Sequence, residues 1–117
     1  NPTTKYNECI EACQKCATAS DYCSSSCLKE DNVQMMAKCI QSCMECANLC
    51  NAAARLMALD GNQVKELCFI CAVTCEACEK ECSKHVHDHC KRCAAACKAC
   101  AEECRKMAAW VFWNNIG

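Results

Sequence analysis

The cysteines recur at alternating gaps of three and four, and that spacing leaves the chain little choice of fold. Residues 68–82, CFICAVTCEACEKEC, hold Cys68, Cys71, Cys75, Cys78 and Cys82 with no Gly or Pro among them. Three other stretches repeat the pattern: Cys9, Cys13, Cys16, Cys23 and Cys27; then Cys39, Cys43, Cys46 and Cys50; then Cys90, Cys93, Cys97, Cys100 and Cys104. The gap of seven between Cys16 and Cys23 is three plus four, with Ala19 or Ser20 in the skipped place. Gaps of three and four draw one stripe along an α-helix, the seam on which helices pack. A strand needs gaps of two. Glu, Lys, Gln, Ala and Ser fill the other faces, as in EACEKEC and CAEECRKM. The chain therefore reads as four amphipathic helices, at about 4–28, 32–58, 62–84 and 88–109, with an apolar tail over 110–117.

The breaks are short. KEDN at 29–32 ends the first helix, and Asp31 with Gln34 forms the pattern of a capping box opening the second. LDGN at 59–62 stops the second helix, with Gly61 suited to the left-handed position. KHVHDH at 84–89 separates the third from the fourth, with Asp88 as N-cap. Short links make successive helices antiparallel. The expected fold is thus all-α: one up-down-up-down four-helix bundle with a cysteine-lined core, spanning 1–117. With 117 residues, one domain is the natural division. The thiols of the third helix then span roughly 21 Å, fourteen steps of about 1.5 Å.

Charge excludes some classes of partner. Thirteen basic residues face fourteen acidic ones, for a formal charge of −1, so nothing favours nucleic acid or an anionic membrane. No run of about 18 apolar residues is present to span a bilayer. No secretory signal pattern is visible. Nor does the sequence show a lone cysteine activated by a histidine and a third orienting group, as a thiol enzyme requires.

What remains is to explain nineteen thiols on one axis. Their number is odd, so they cannot all pair internally. Neighbours at i,i+3 or i,i+4 have Cβ atoms about 5–6 Å apart, beyond the roughly 3.5–4.5 Å of a disulfide. As a plain small hydrophobe, Cys would leave the bundle interior underfilled, and cavities destabilise. Soft thiolates favour Cu(I), Zn(II) and iron–sulfur clusters. Structural zinc takes four converging ligands, usually from turns, and a continuous row does not divide into closed sets of four. The C-x2-C-x2-C-x3-C-P spacing of an iron–sulfur site is absent. Cu(I) accepts two or three sulfurs, and one thiolate can bridge two ions. Ion and thiol counts then become about equal. Each Cu⁺ replaces roughly one proton, so the core fills without accumulating charge.

The two ends differ. Met35 and Met36 precede Cys39 by four and three, His85 follows Cys82 by three, and His87 precedes Cys90 by three. Met36, His85 and His87 are the candidate exchangeable ligands of an entry mouth; His89 falls off the seam by this count. Tyr6, Met57 and Met107 plug the other end, and Trp110, Phe112, Trp113 and Ile116 cap the bundle or meet another subunit.

The segments CIEACQKC, CIQSCMECANLC, CAVTCEACEKEC and CAAACKACAEEC together resemble the bacterial copper storage protein family, over residues 6–108. HVHDHC at 85–90 is similar to the cytosolic branch of that family. The resemblance implies a cytoplasmic homotetramer, many Cu(I) ions per chain bound by all nineteen cysteines, metal entry at one end, and no catalysis. The alternatives are a general scavenger of Zn(II), Cd(II) or Ag(I), or a thiol redox buffer.

Overall fold

The computed structural model describes the backbone of residues 4–116 and side chains within residues 5–109. The proposed capping role of Trp110, Phe112, Trp113 and Ile116 lies outside the described side chains. Four α-helices form: α1 (Asn7–Cys27), α2 (Ala37–Ala58), α3 (Val64–Cys82) and α4 (Asp88–Ile116). Single 3-10 turns, Thr4–Tyr6 and Val33–Met36, lead into α1 and α2. Their Ala, Glu and Lys content gives the helices favourable intrinsic propensity. The backbone of α4 stays helical through Ile116, past the stop expected at 109.

Each helix packs on two neighbours: α1 on α2 and α4, α3 on α2 and α4. The sulfur register shows the antiparallel order. Down α1 and up α2, Cys27 meets Cys39 and Cys16 meets Cys46. Between α2 and α3, Cys43 meets Cys82 and Cys50 meets Cys71. Between α1 and α4, Cys23 meets Cys90 and Cys9 meets Cys104. The fold is an up-down-up-down four-helix bundle. Its core is all nineteen cysteines, each 1 % exposed or less, with Ala17, Ala47, Ala53, Ala72 and Ala101 between them. Ser20, not Ala19, takes the skipped place in the α1 row: Ser20 is fully buried, Ala19 only half-buried.

The links correct three local expectations. Asp60, at φ 50°, holds the left-handed position after α2, and Gly61 has no positive φ. The α2 backbone ends one residue earlier than the Gly rule places it. Asp60 N–H donates to the Met57 carbonyl and Gly61 N–H to the Leu56 carbonyl, the paired bonds of a Schellman end. Asp tolerates this conformation better than most side chains. Asp31 and Gln34 form no capping box: Asn32 precedes the 3-10 turn, and no side chain caps it. Asp88 is the first residue of α4 rather than its cap. The His87 carbonyl accepts the first helical bonds, and Asp88 pairs with Arg92 at 3.0 Å.

The end away from the histidines is closed by buried Tyr6, Met57, Val64 and Ala108. Tyr6 Oη donates a 3.0 Å hydrogen bond to the Asp60 carboxylate, tying the start of α1 to the α2–α3 link. On the outside, Arg105 of α4 grips Glu76 of α3 through two hydrogen bonds, at 2.9 and 2.6 Å, and lies over the Phe69 ring. Because Tyr6→Phe keeps the ring and deletes only the hydroxyl, it is expected to cost about 1 kcal/mol. Urea unfolding of the metal-free protein, followed by circular dichroism, measures this.

Candidate metal centre

A helix seam turned inward from four sides gives a column of sulfur. Cys16 Sγ is 3.5 Å from Cys46 Sγ and 3.7 Å from Cys97 Sγ; Cys46 is in turn 3.5 Å from Cys75. Toward the histidine end, Cys39 meets Cys82 at 3.6 Å and Cys90 at 3.9 Å. Toward the other, Cys13 lies 3.6 Å from Cys100 and 3.7 Å from Cys104. At the roughly 2.3 Å of a zinc–thiolate bond, three sulfurs around one ion stand about 4.0 Å apart. The column is therefore already spaced for metal. All nineteen cysteines are free thiols.

Sets of four sulfurs lie within 4.8 Å of one another at several levels. Cys13, Cys71, Cys100 and Cys104 form one; Cys16, Cys46, Cys50 and Cys75 form another. Nearer the histidines the sets overlap. Cys23 and Cys39 belong both to a set with Cys43 and Cys82 and to a set with Cys27 and Cys90. Cys43 and Cys82 belong also to a set with Cys78 and Cys93. Overlap is what a continuous row imposes, because each thiol faces neighbours above and below it. Four-coordinate ions could not occupy all these sets at once. Ions satisfied by two or three bridging sulfurs could occupy the whole column.

Desolvation favours the neutral thiol. Burial pushes the Cys27 thiol up to about 11 and raises Cys90 as well. Deeper in, S–H donation from Cys16, Cys50 and Cys75 holds Cys46 below its ordinary range. At neutral pH Cys27 and Cys90 thus carry their protons until metal displaces them.

The mouth differs from its sequence-based description. His89, placed off the seam by counting, turns Nδ1 to the thiols: 3.5 Å from Cys90, 3.6 Å from Cys23 and 3.7 Å from Cys27. Its Nε2 meets the Glu30 carboxylate at 2.8 Å. A carboxylate only accepts, so Nε2 carries the proton of the neutral ring and Nδ1 offers its lone pair to the core. The hydrogen bond from His89, with the nearby His87, holds the Glu30 carboxyl below the usual range. His87 stacks on His89 at 5.3 Å and lies 3.5 Å from Glu30. His85 meets Glu81 at 3.1 Å. Burial works against ionisation of Glu81, but hydrogen bonds from His85 and Lys84 outweigh it and keep its carboxyl low. Among the described contacts, then, His85 and His87 face carboxylates, and His89 faces sulfur. Counting back from Cys90 fails because α4 begins only at Asp88, so His87 lies outside the helical period. The signal that could have found His89 is its position beside Cys90 in the first turn, with an acidic residue across the mouth in the α1–α2 link.

Of the paired methionines, Met36 is buried in the core cluster and Met35 is 71 % exposed, so the expectation that both stand near the seam holds for Met36 alone. Met57, assigned to the plug, brings its Sδ within 3.9 Å of Cys68 Sγ. The sequence shows no thiol with a histidine and a third orienting group; the structure does contain that order, Cys90–His89–Glu30. The ring nitrogen is shared by three thiols, and each is fully buried.

Fold and site together define a class: a helical bundle whose interior is a multinuclear soft-metal site. The comparisons specify it. The sequence model of the copper storage protein family, Csp, matches residues 2–109, and the chain belongs to that family. An uncharacterized cysteine-rich protein, YhjQ of Bacillus subtilis (strain 168), is 48% identical over 106 residues, which is 90% of this chain and 98% of that one. The Cu(I)-bound structure of the copper storage protein BsCsp3 superposes with a TM-score of 0.83 at 48% identity, over 86% of this chain and 94% of that one. A cytosolic copper storage protein from Streptomyces lividans, loaded with five coppers, gives a TM-score of 0.86 at 36% identity, over 92% and 95% of the two chains.

Metal uptake at the mouth should be proton-linked. The raised thiols there mean that uptake near pH 7 releases about one proton per Cu(I), and that apparent affinity falls as pH is lowered. Indicator-dye titration in weak buffer under argon measures the released protons.

Proposed function

We propose that this protein stores Cu(I), many ions per chain, in the thiolate column of its core and releases it unchanged. The observation that carries the reading is the overlap of four-sulfur sets built from all four helices. The ligand set we propose is Cys9, Cys13, Cys16, Cys23, Cys27, Cys39, Cys43, Cys46, Cys50, Cys68, Cys71, Cys75, Cys78, Cys82, Cys90, Cys93, Cys97, Cys100 and Cys104. His89 and Met36 stand at the entry, with His85 and His87 outside them. The Cu(I)-bound BsCsp3 and the Streptomyces lividans protein, described with five coppers and with 10 copper equivalents, support multinuclear loading. The cytosolic description of the Streptomyces protein supports a cytoplasmic location. Assembly as a homotetramer belongs to the same reading, supported by Met44, Ile70 and Val73, apolar side chains left exposed on α2 and α3. The role is not catalytic. A nucleophile must reach a substrate, and the thiols around His89 are sealed inside the bundle.

Anaerobic titration with Cu(I) against a chelator of known affinity tests the function. Uptake of well over ten ions per chain, with helical circular dichroism unchanged from the metal-free protein, is expected, on the order of one ion per thiol. Saturation after a handful of ions, or a stronger hold on Zn(II), would overturn it in favour of the scavenger. The entry assignment has its own test. Replacing His89 and Met36 together by Ala is expected to slow Cu(I) uptake by about tenfold in stopped-flow, with final capacity nearly unchanged. Unaltered uptake would remove the port from this end.

A further inference from the structure

The α1 row holds one position that is not a thiol. Ser20 is fully buried, the one polar residue among the described residues with no exposed surface. Its Oγ lies 3.6 Å from Cys93 Sγ and 4.0 Å from Cys16 Sγ. Across the bundle at its level stand Cys43, Cys78 and Cys93, with Cys43 3.9 Å from Cys78 and 3.6 Å from Cys93. Elsewhere α1 advances from thiol to thiol in three or four residues. From Cys23 to Cys16 it advances seven, about 10.5 Å of helix.

This gap coincides with a thinning of the thiol network. On the His89 side the sulfurs are joined in chains such as Cys23–Cys39–Cys82–Cys43–Cys93. On the far side they are joined as densely, through Cys16–Cys46–Cys75–Cys50–Cys100. Among the described residues, Cys93 meets Cys97 across the gap at 3.9 Å, and Cys78 also interacts there with Cys46 and Cys97, so few thiol contacts join the two sides. Ser20 stands beside that crossing. A hydroxyl is a hard, neutral group that keeps its proton and does not replace a thiolate on Cu(I). Its O–H can donate to Cys93 and draws electron density from the sulfur on the crossing.

We propose that Ser20 makes a waist in the store, dividing it into a mouth compartment and a deep compartment, and that passage of Cu(I) between them is the slow step of exchange along the core. An ion moves down the column by trading one sulfur for the next, so its rate depends on a sulfur being in reach at each step. At the waist α1 supplies none, and the ion must cross by way of α2, α3 and α4. The inference rests on the storage reading and adds an internal barrier to it.

The test uses the full-length protein, half-loaded with Cu(I) under argon, aged for varying times, then challenged with bathocuproine disulfonate. Metal that has crossed the waist leaves slowly, so the slowly removed fraction should grow with ageing time. In Ser20→Cys it should grow at least about threefold faster, and capacity should rise by about one ion per chain. Cys93→Ser, which takes the sulfur from the crossing, should slow it by at least about threefold. Ser20→Ala supplies no sulfur and should stay within about twofold of the parent. A removable fraction independent of age, a Ser20→Cys rate equal to the parent's, or a Ser20→Ala rate as fast as that of Ser20→Cys would overturn the waist. A parent chain that takes up only a handful of ions would instead sink the storage reading.

Discussion

Sulfur packed against sulfur, from four helices at once, is the contact on which the rest depends. Thiol contacts of 3.5–4.0 Å run nearly the length of the core. They are weak as hydrogen bonds, since S–H is a poor donor and sulfur a poor acceptor. Cys is also small for a core residue. The metal-free bundle must therefore draw its stability from elsewhere: from helix propensity, from the Tyr6–Asp60 tie, from Met57 and Val64 at the closed end, and from the Arg105–Glu76 clamp. This separates folding from loading. A zinc finger folds around its metal because its ligands have no other reason to converge. Here the helices converge first and the ligands come with them.

The sequence made the column legible for a simple reason. Inside a regular helix the 3.6-residue period converts spacing into direction, so every cysteine from Cys9 to Cys104 could be placed on one axis without coordinates. The same rule has no authority where the helix stops. His87 stands three residues before Cys90 but precedes the helix, whereas His89 lies in its first turn and reaches three thiols. Gly61 looked like the residue to take a left-handed turn. The end of α2 gave that place to Asp60, whose carboxylate is then held by Tyr6, 54 residues away. The Glu30 partner of His89 and the Tyr6 partner of Asp60 are both distant in the chain, so neither was written in spacing. Met35 and Met36 show the boundary case: both fit within one turn of Cys39, and only the packing of the 3-10 turn buries Met36 and leaves Met35 outside.

The two ends of the column follow from what borders each. At one end the rows finish beside a link carrying His85 and His87, with His89 in the first turn of α4 facing Glu30 across the mouth, so the last sulfurs meet a nitrogen lone pair backed by a carboxylate. At the other they finish against Tyr6, Val64 and Ala108, which offer no soft ligand, and a Met57 thioether that contacts Cys68 from inside. On the proposed reading, a monovalent ion moving by ligand exchange meets a nitrogen lone pair at the first end and, among the described residues, only a buried thioether at the second.

The choice of metal follows from charge rather than from affinity. By intrinsic affinity zinc is a strong competitor for thiolate, and the order of divalent metals does not speak to a monovalent one. Counting does not exclude zinc: Cys23, Cys27, Cys39 and Cys90 share no member with Cys43, Cys78, Cys82 and Cys93, nor does either set with Cys16, Cys46, Cys50 and Cys75 or with Cys13, Cys71, Cys100 and Cys104. Charge speaks instead. Each zinc would bring four thiolates and two positive charges, leaving a net charge of about −2 in a dry core for every closed site. A monovalent ion that shares its sulfurs leaves none stranded, and it trades one charge for one proton at every step. The row favours the cargo that leaves no net charge behind in the core.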